Sequence, residues 1–259
     1  MLVVGDSLVA AASSDVAGLS PPGTSTAALA GIGASPCDLW AGYKATPTGQ
    51  VLSFRTTVRS ERPRAVVLAF TGNPGISAKA CIADATGDYR LSDVVSAYRT
   101  ALRSMGSFAS AAGARVFLSA TPARNPSVPE GWVDGNQQGY NGDPAFNSMM
   151  SELARSQGWT YDTGAAVAIS GPGLGWTLYL PCQPTAGVAC INGREQVRYG
   201  GPDAIHCDAP GTNGPGTPSQ GSLRYARGLL TGPLAGQGLR PRDEVRTSTS
   251  TVPSPSCAG

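Results

Sequence analysis

Two short polar motifs, far apart in the chain, together contain the groups needed for nucleophilic serine chemistry. A Gly-Asp-Ser-Leu string occupies residues 5–8, and an Asp-Ala-Ile-His string at residues 203–206 holds the chain's only histidine. Such chemistry needs a reactive hydroxyl, a neutral imidazole within reach, and a carboxylate that fixes the imidazole tautomer. The sequence therefore predicts Ser7 as nucleophile, His206 as its general base and Asp203 as the orienting carboxylate.

Each of these residues also has a plainer interpretation. Ser7 could cap a helix, Asp203 could be a turn residue after a proline, and Asp208 is a rival partner for His206. A Gly-Asp-Ser-Leu string arises by chance in about one such chain in a hundred, and a sole histidine with Asp three residues earlier in about one in twenty. Their joint occurrence favours chemistry, and Asp6 is expected to support the nucleophile turn.

The elements that must position these motifs alternate between strand and helix patterns. Apolar runs predict strands at residues 2–4, 27–30, 65–70, 116–118 and from 159, and helical spacing predicts helices at 92–112, 143–157 and 219–230. This alternation predicts an α/β fold with a central parallel sheet covered on both faces. Ligands bind at the carboxyl ends of strands in such sheets, so Ser7 is expected at that edge.

The two motifs, in this order, resemble the SGNH (GDSL-type) hydrolase family, and the resemblance spans residues 5–206. It implies a flavodoxin-like three-layer sandwich, the SGNH hydrolase fold. It also implies that Ser7, Asp203 and His206 form a catalytic triad without metal or organic cofactor.

The resemblance further implies an oxyanion hole made by the N–H groups of Ser7 and Gly33 and by the Asn73 side-chain amide. Gly31 competes with Gly33 for this role, and Asn73 before a proline could be a turn former. The third motif departs from the family pattern, because Thr-Gly-Asn-Pro stands at residues 71–74 where the family has Gly-x-Asn-Asp. Phe-Thr-Gly-Asn with a downstream Cys81, and Pro-Cys-Asp after Gly33, resemble secreted actinobacterial members.

Six cysteines without a Cys-x-x-Cys pair favour disulfides over a zinc site or six buried thiols. Six cysteines allow fifteen pairings. The favoured pairs are Cys37–Cys81, Cys182–Cys190 and Cys207–Cys257. The first pair would hold the loops of Gly33 and Asn73, and the last would tie the C-terminal tail to the histidine segment. An oxidising compartment, and hence a secreted or cell-envelope location, is the expectation.

Length and composition exclude several other classes. The 259 residues suit one domain over residues 1–234, followed by an irregular Pro/Ser/Thr-rich tail over 235–259. The net charge is +2 and no dense Lys/Arg cluster predicts a nucleic-acid partner. The longest apolar run is far below a membrane span. The N-terminus lacks the basic and apolar regions of a signal peptide, so an exported chain would be a mature form or a domain of a longer membrane-attached protein.

The predicted function is carboxylic-ester hydrolysis through an acyl-enzyme, on a small-molecule or glycan-linked ester. An O-acyltransferase or deacetylase acting on envelope glycans is one alternative, and a non-catalytic carbohydrate-binding module on the same fold is another. Trp40, Trp132, Tyr140 and Trp176 are candidate substrate platforms, although buried aromatic residues are the commoner case. The sequence leaves the oligomeric state open.

Overall fold

The fold is built on a five-stranded parallel sheet with two small antiparallel hairpins. The computed structural model describes residues 1–44, 51–72, 91–125, 142–183, 192–198, 207 and 220–242. The strands are β1 (Leu2–Gly5), β2 (Ala27–Ala30), β3 (Tyr43–Lys44), β4 (Val51–Leu52), β5 (Ala65–Ala69), β6 (Arg115–Ser119), β7 (Thr160–Asp162), β8 (Tyr179–Pro181) and β9 (Arg194–Gln196). The parallel sheet has the order β2-β1-β5-β6-β7, which is the flavodoxin-like order.

Helices cover both faces of this sheet. They are α1 (Ser7–Ala11), α2 (Ser13–Gly18), α3 (Pro36–Ala41), α4 (Phe54–Glu61), α5 (Leu91–Ala111), α6 (Gly142–Gln157), α7 (Gly164–Ala168) and α8 (Gln220–Ala235). One buried cluster joins the sheet to α3, α4, α5 and α6, and a second joins it to α1, α2, α7 and α8. The predicted three-layer α/β sandwich is confirmed.

The central strands bury side chains on both faces, which explains why they read as continuous apolar runs. Val4 and Leu68 belong to the first cluster, whereas Val3 and Val67 belong to the second. Successive residues of a strand point to opposite faces, so neighbouring residues supply the two cores in turn.

The predicted helices at 92–112 and 143–157 are confirmed within one residue at each end, as Leu91–Ala111 and Gly142–Gln157. The last helix is longer than predicted and ends at Ala235 rather than near Leu230. The two hairpins were not predicted. Residues 171–201 read as a Gly/Pro-rich loop, yet β8 and β9 pair antiparallel inside it, because three-residue strands are too short to show an alternating pattern.

The β8–β9 hairpin is fixed to α8 by a buried ion pair. The Arg224 guanidinium contacts the Glu195 carboxylate, and both side chains are buried. Arg224 also donates to the Pro181 carbonyl, and the Gln183 N–H donates to Glu195 at 3.3 Å. Every bond in this group joins the hairpin to itself or to the final helix.

One predicted disulfide is wrong. Cys207 is a buried thiol outside any disulfide, so it does not pair with Cys257. It packs beneath the start of α8, where its Cβ would lie 2.7 Å from a Cβ placed on Gly221. Cys37 and Cys182 are disulfide-bonded. Their predicted partners, like Cys257, lie outside the described residues, so the pairs Cys37–Cys81 and Cys182–Cys190 stay predictions.

The start of the C-terminal tail packs against the domain by other means. Leu239 contacts the second cluster, and the Arg242 N–H donates to the Leu19 carbonyl at 3.0 Å. The Arg115 guanidinium donates to the Gly236 carbonyl at 2.7 Å. Residues 235–242 are thus part of the folded unit, and the predicted boundary at residue 234 falls inside helix α8.

Candidate active site

Ser7 stands at the carboxyl edge of the sheet, at the point where the strand order reverses. It is the first residue of α1 and only 5% exposed. The last residue of β1, Gly5, is level with Ala30 on one side and with Ala69 on the other. Ser7 therefore lies between the loops that follow β2 and β5, which is where ligands bind in sheets of this type.

Gly5 lets the nucleophile turn sit close to β5. A Cβ added there would lie 2.2 Å from the Ala69 carbonyl oxygen and 2.4 Å from a methyl group of Val9. The β5 backbone and helix α1 could make room for a larger side chain only by moving Ser7. This position therefore requires glycine because of its close packing.

The Asp6 carboxylate connects the nucleophile turn to the loop after β5. Asp6 is fully buried and caps α1 by accepting the Leu8 N–H at 3.2 Å on Oδ1. Its Oδ2 accepts both the N–H and the hydroxyl of Thr71, each at 2.6 Å. Hydrogen bonds to an ionised acceptor are short and strong. The sequence suggested that Asp6 supports the turn, and the structure adds that it also fixes the third-motif loop.

The loop that leads to Asn73 is held from the β6 side as well. The Thr121 hydroxyl donates to the Phe70 carbonyl at 2.9 Å, and the Arg124 guanidinium donates to the Thr71 carbonyl at 2.8 Å. Gly72 has φ +89°, and a Cβ there would lie 2.7 Å from the Phe146 ring. The chain is fixed as far as Gly72, and Asn73 itself lies outside the described residues.

The loop after β2 discriminates between the two candidate glycines. The Gly31 N–H donates to the Gly5 carbonyl at 3.2 Å, so this group continues the sheet pairing. The Gly33 N–H has no backbone acceptor among the described residues, and Gly33 has φ +69°. A reciprocal capping box of Ser35 and Asp38 fixes the chain directly after it. These contacts favour Gly33 over Gly31 as an oxyanion donor, and that role stays a prediction.

A buried polar group lies behind the nucleophile turn and was not predicted. Tyr225 of α8 is 1% exposed, and its pKa lies well above 10.0. Burial is the main cause, the Asp6 and Cys207 side chains raise the pKa further, and the Arg198 guanidinium lowers it. Interactions of this kind act over short distances in a protein interior. Tyr225 thus lies in one buried region with Asp6, which precedes Ser7 in the sequence, and with Cys207, which follows His206.

Arg198 anchors the segment that runs toward residues 203–206. Its side chain is fully buried and donates to the Ile169 and Ala123 carbonyls, each at 3.3 Å. Ala123 follows β6 and Ile169 follows α7, so one guanidinium joins two loops of the carboxyl edge to the chain after β9. An arginine in a loop-like stretch gives no sequence signal of burial, because arginine is seldom buried.

Tyr225 predicts a loss of stability at high pH. The unfolded phenol titrates near its usual pKa, whereas the folded phenol keeps its proton well above 10.0. Above pH 10 the unfolded state binds fewer protons than the native state, so the free energy of unfolding falls as the pH rises. Tyr225→Phe is expected to reduce this fall between pH 9 and 11 in urea titrations. An unchanged slope in Tyr225→Phe would contradict this assignment.

Of the remaining residues that the sequence singled out, some lie within the described part of the chain and others lie outside it. Asp203 and His206 lie outside the described residues, as do Trp132 and Tyr140. Trp40 packs against Phe54 and Phe108, with the Arg55 guanidinium 5.0 Å above its ring, so its face is covered. In the described part of the chain, no cluster of His, Cys, Asp and Glu could hold a metal ion. None of the described helices is long and apolar enough to cross a bilayer.

Comparison with known proteins supports the fold. No protein-family model matches the chain, and no curated protein matches it by sequence. Among solved structures, a protein from Bacteroides fragilis that is described as an acylhydrolase is similar to this chain. The TM-score is 0.51 and the identity 15%, over 92% of this chain and 87% of that one. Est24, a carbohydrate acetylesterase from Sinorhizobium meliloti, is similar with a TM-score of 0.51 and 12% identity, over 91% of this chain and 98% of that one. At these identities the comparison establishes a shared α/β fold.

Proposed function

We propose that this protein is a serine carboxylic-ester hydrolase that acts through an acyl-enzyme. The observation that carries the proposal is that Cys207 and Tyr225 belong to the same buried cluster as Leu8, the residue after Ser7. Asp6 immediately precedes Ser7, and Cys207 immediately follows His206. Residues within or adjacent to the two motifs therefore contribute to one buried region, which supports the proposal that Ser7 and His206 act together.

In the proposed reaction the Ser7 hydroxyl oxygen attacks the acyl carbonyl carbon. His206 accepts the hydroxyl proton and delivers it to the leaving alcohol, and Asp203 orients the imidazole. The N–H groups of Ser7 and Gly33 and the Asn73 amide stabilise the negative charge on the carbonyl oxygen. Water then attacks the acyl carbonyl carbon while His206 accepts its proton, and His206 returns that proton to the Ser7 oxygen as the bond to the acyl carbon breaks, which releases the free acid.

The hydrogen bonds that Asp6 accepts are consistent with the proposed reaction. The carboxylate accepts three hydrogen bonds that fix the Ser7 turn relative to the Thr71 loop. An oxyanion hole is effective when its donors are held in place before the charge develops. Asp6 would therefore act by positioning, through the Leu8 N–H and the N–H and hydroxyl of Thr71.

A glycan O-acetyl group is a second candidate substrate, and a glycan hydroxyl a second candidate acceptor. The shared fold with Est24, a carbohydrate acetylesterase, favours testing this class first among the acyl groups. Product analysis separates the two reactions, because hydrolysis releases free acid whereas transfer yields an acylated glycan. We also infer a secreted or cell-envelope location, since the disulfide-bonded Cys37 and Cys182 suit an oxidising compartment.

The deciding experiment is covalent labelling of the nucleophile. A fluorophosphonate probe is expected to modify the wild-type protein once, at Ser7, as found by peptide mass spectrometry. Ser7→Ala should remain unlabelled while keeping its circular dichroism spectrum. Absence of labelling in a folded wild-type protein would favour the non-catalytic carbohydrate-binding alternative.

A further inference from the structure

The longest uncharged stretch of the chain begins directly after β7. Residues 163–193 contain no Asp, Glu, Lys, Arg or His. Of the four large apolar side chains that are exposed in the described structure, Val167, Leu174 and Tyr179 belong to this stretch, and the fourth, Val51, lies in β4. Three of these four exposed apolar side chains therefore fall within one uncharged stretch instead of being spread along the chain.

The centre of this stretch is a compact loop with an unusual leucine. The Gly171 N–H donates to the Gly175 carbonyl at 2.8 Å, which closes the loop over residues 171–175. Leu174, at its turn, has φ +61° and is 43% exposed. A leucine rarely adopts this conformation, and core packing does not require it at an exposed position. Strained residues that are retained at exposed positions point to a functional contact.

The loop is continuous with the proposed active site. The Val197 N–H donates to the Leu178 carbonyl at 2.9 Å, and the Arg198 guanidinium donates to the Ile169 carbonyl. Both donors stand just before the segment that carries Asp203 and His206. A surface bound by this loop would therefore lie close to Val197 and Arg198, which precede the proposed catalytic segment in the chain.

We propose that the 171–179 loop docks on the surface of a lipid layer, with Leu174 inserted among the acyl chains. Leu174 is followed by the half-buried Trp176 and the exposed Tyr179. Aliphatic side chains suit the acyl region, whereas tryptophan and tyrosine suit the interface with their polar edges toward water. The absence of charges over residues 163–193 removes the cost of desolvating ions. At the base of the loop, Arg194 donates to the Tyr179 carbonyl at 3.1 Å and is placed to attract anionic headgroups.

A lipid surface fits these features better than a protein groove does. Leu174 and Trp176 lie in the short connection between α7 and β8, and Tyr179 is the first residue of β8, so the contact area is small. Stable protein interfaces bury roughly 800 Å² on each partner. Insertion into a fluid lipid layer needs no complementary shape, and a few apolar side chains are enough for reversible binding.

The test is flotation of the intact protein with vesicles of ether-linked phosphatidylcholine, with and without ether-linked phosphatidylglycerol. Ether lipids carry no ester, so binding is measured without turnover and its outcome is independent of the proposed hydrolase function. Wild-type protein is expected to float with the vesicles, more so with the anionic lipid. Leu174→Asn is expected to lower the partition coefficient about three- to tenfold, and adding Tyr179→Ser to lower it further.

Leu174→Asn is chosen because asparagine accepts a positive φ more readily than leucine does, so the loop should keep its backbone. Val51→Thr is the matched control, since it removes an exposed apolar side chain outside the loop and should leave flotation unchanged. Wild-type protein that stays unbound to both vesicle types would overturn the proposal. Equal loss in Leu174→Asn and Val51→Thr would also overturn it. Sedimentation showing a dimer that Leu174→Asn dissociates, without vesicle binding, would assign the loop to self-association instead.

Discussion

Replacement of Ser7 by alanine is expected to lower kcat/KM for a short-chain p-nitrophenyl ester by about 10⁴- to 10⁶-fold. The loss is large because the acyl-enzyme cannot form without the Ser7 hydroxyl, and the remaining groups act together with it rather than independently. The residual rate should still exceed that of water, since the oxyanion donors and the binding surface are retained. Initial rates over a range of ester concentrations measure both kcat and KM.

The control for this experiment is Ser13→Ala, in the neighbouring helix. Ser13 donates to the Ala10 carbonyl at 2.8 Å and makes no contact assigned to the reaction. Its kcat/KM is expected to match the wild-type value, and both variants should melt near the wild-type temperature. A Ser7→Ala protein that retains more than a tenth of the wild-type rate, free of contaminating esterase, would remove Ser7 from the mechanism.

The fold could be predicted from the sequence because its strands are buried on both faces. Residues 65–70 form an uninterrupted apolar run, and the helical spacing over 92–112 identifies α5 within one residue at each end. Parallel strands connected by helices leave few possible topologies. The turn after β1 then had to lie at the carboxyl edge, so Ser7 was placed correctly without structural information.

The environment of the site could not be predicted, because it depends on long-range contacts of residues without a local pattern. Arg198 and Tyr225 are far apart in the sequence, and nothing in their neighbours indicates that both side chains are buried. The same applies to Cys207. The even number of cysteines in the chain favoured a disulfide at this residue. Its position beneath Gly221 depends on how α8 packs. The number and spacing of the cysteines do not predict this packing.

The uncharged stretch at 163–193 shows a different limit. Its lack of charge is visible in the sequence, and the glycines and prolines of residues 171–201 predict a loop. What the sequence does not reveal is which of its apolar side chains are buried. The structure buries Ile169 and exposes Leu174, and this division is what turns a weakly patterned segment into a candidate docking surface.

The second large effect is expected from breaking the ion pair between Glu195 and Arg224. Glu195→Ala should lower the free energy of unfolding by about 3–5 kcal/mol, because it leaves the Arg224 guanidinium buried without its carboxylate. Both side chains are almost inaccessible to water, with relative exposures of 1% and 7%. The same change also removes the acceptor of the Gln183 N–H. Urea denaturation followed by circular dichroism measures this quantity.

The chain supplies a matched control in an exposed ion pair between helices α5 and α6. Arg99 and Glu152 are in contact at 2.8 Å but are 37% and 48% exposed. Glu152→Ala is therefore expected to change stability little, since water and salt screen an exposed pair. Similar losses from Glu195→Ala and Glu152→Ala would show that burial does not govern the effect.

A double replacement separates the cost of an unpaired charge from the value of the pair itself. Glu195→Leu combined with Arg224→Met replaces the buried pair by apolar side chains of similar size, and substitutions of this kind are often neutral or stabilising. The double variant is expected to recover most of the stability lost in Glu195→Ala. Arg224 also donates to the Pro181 carbonyl, so the hairpin loses one further bond in the double variant and recovery should be incomplete. If the double variant is less stable than Glu195→Ala, the pair contributes to stability through its geometry, and the hairpin depends on the ions themselves.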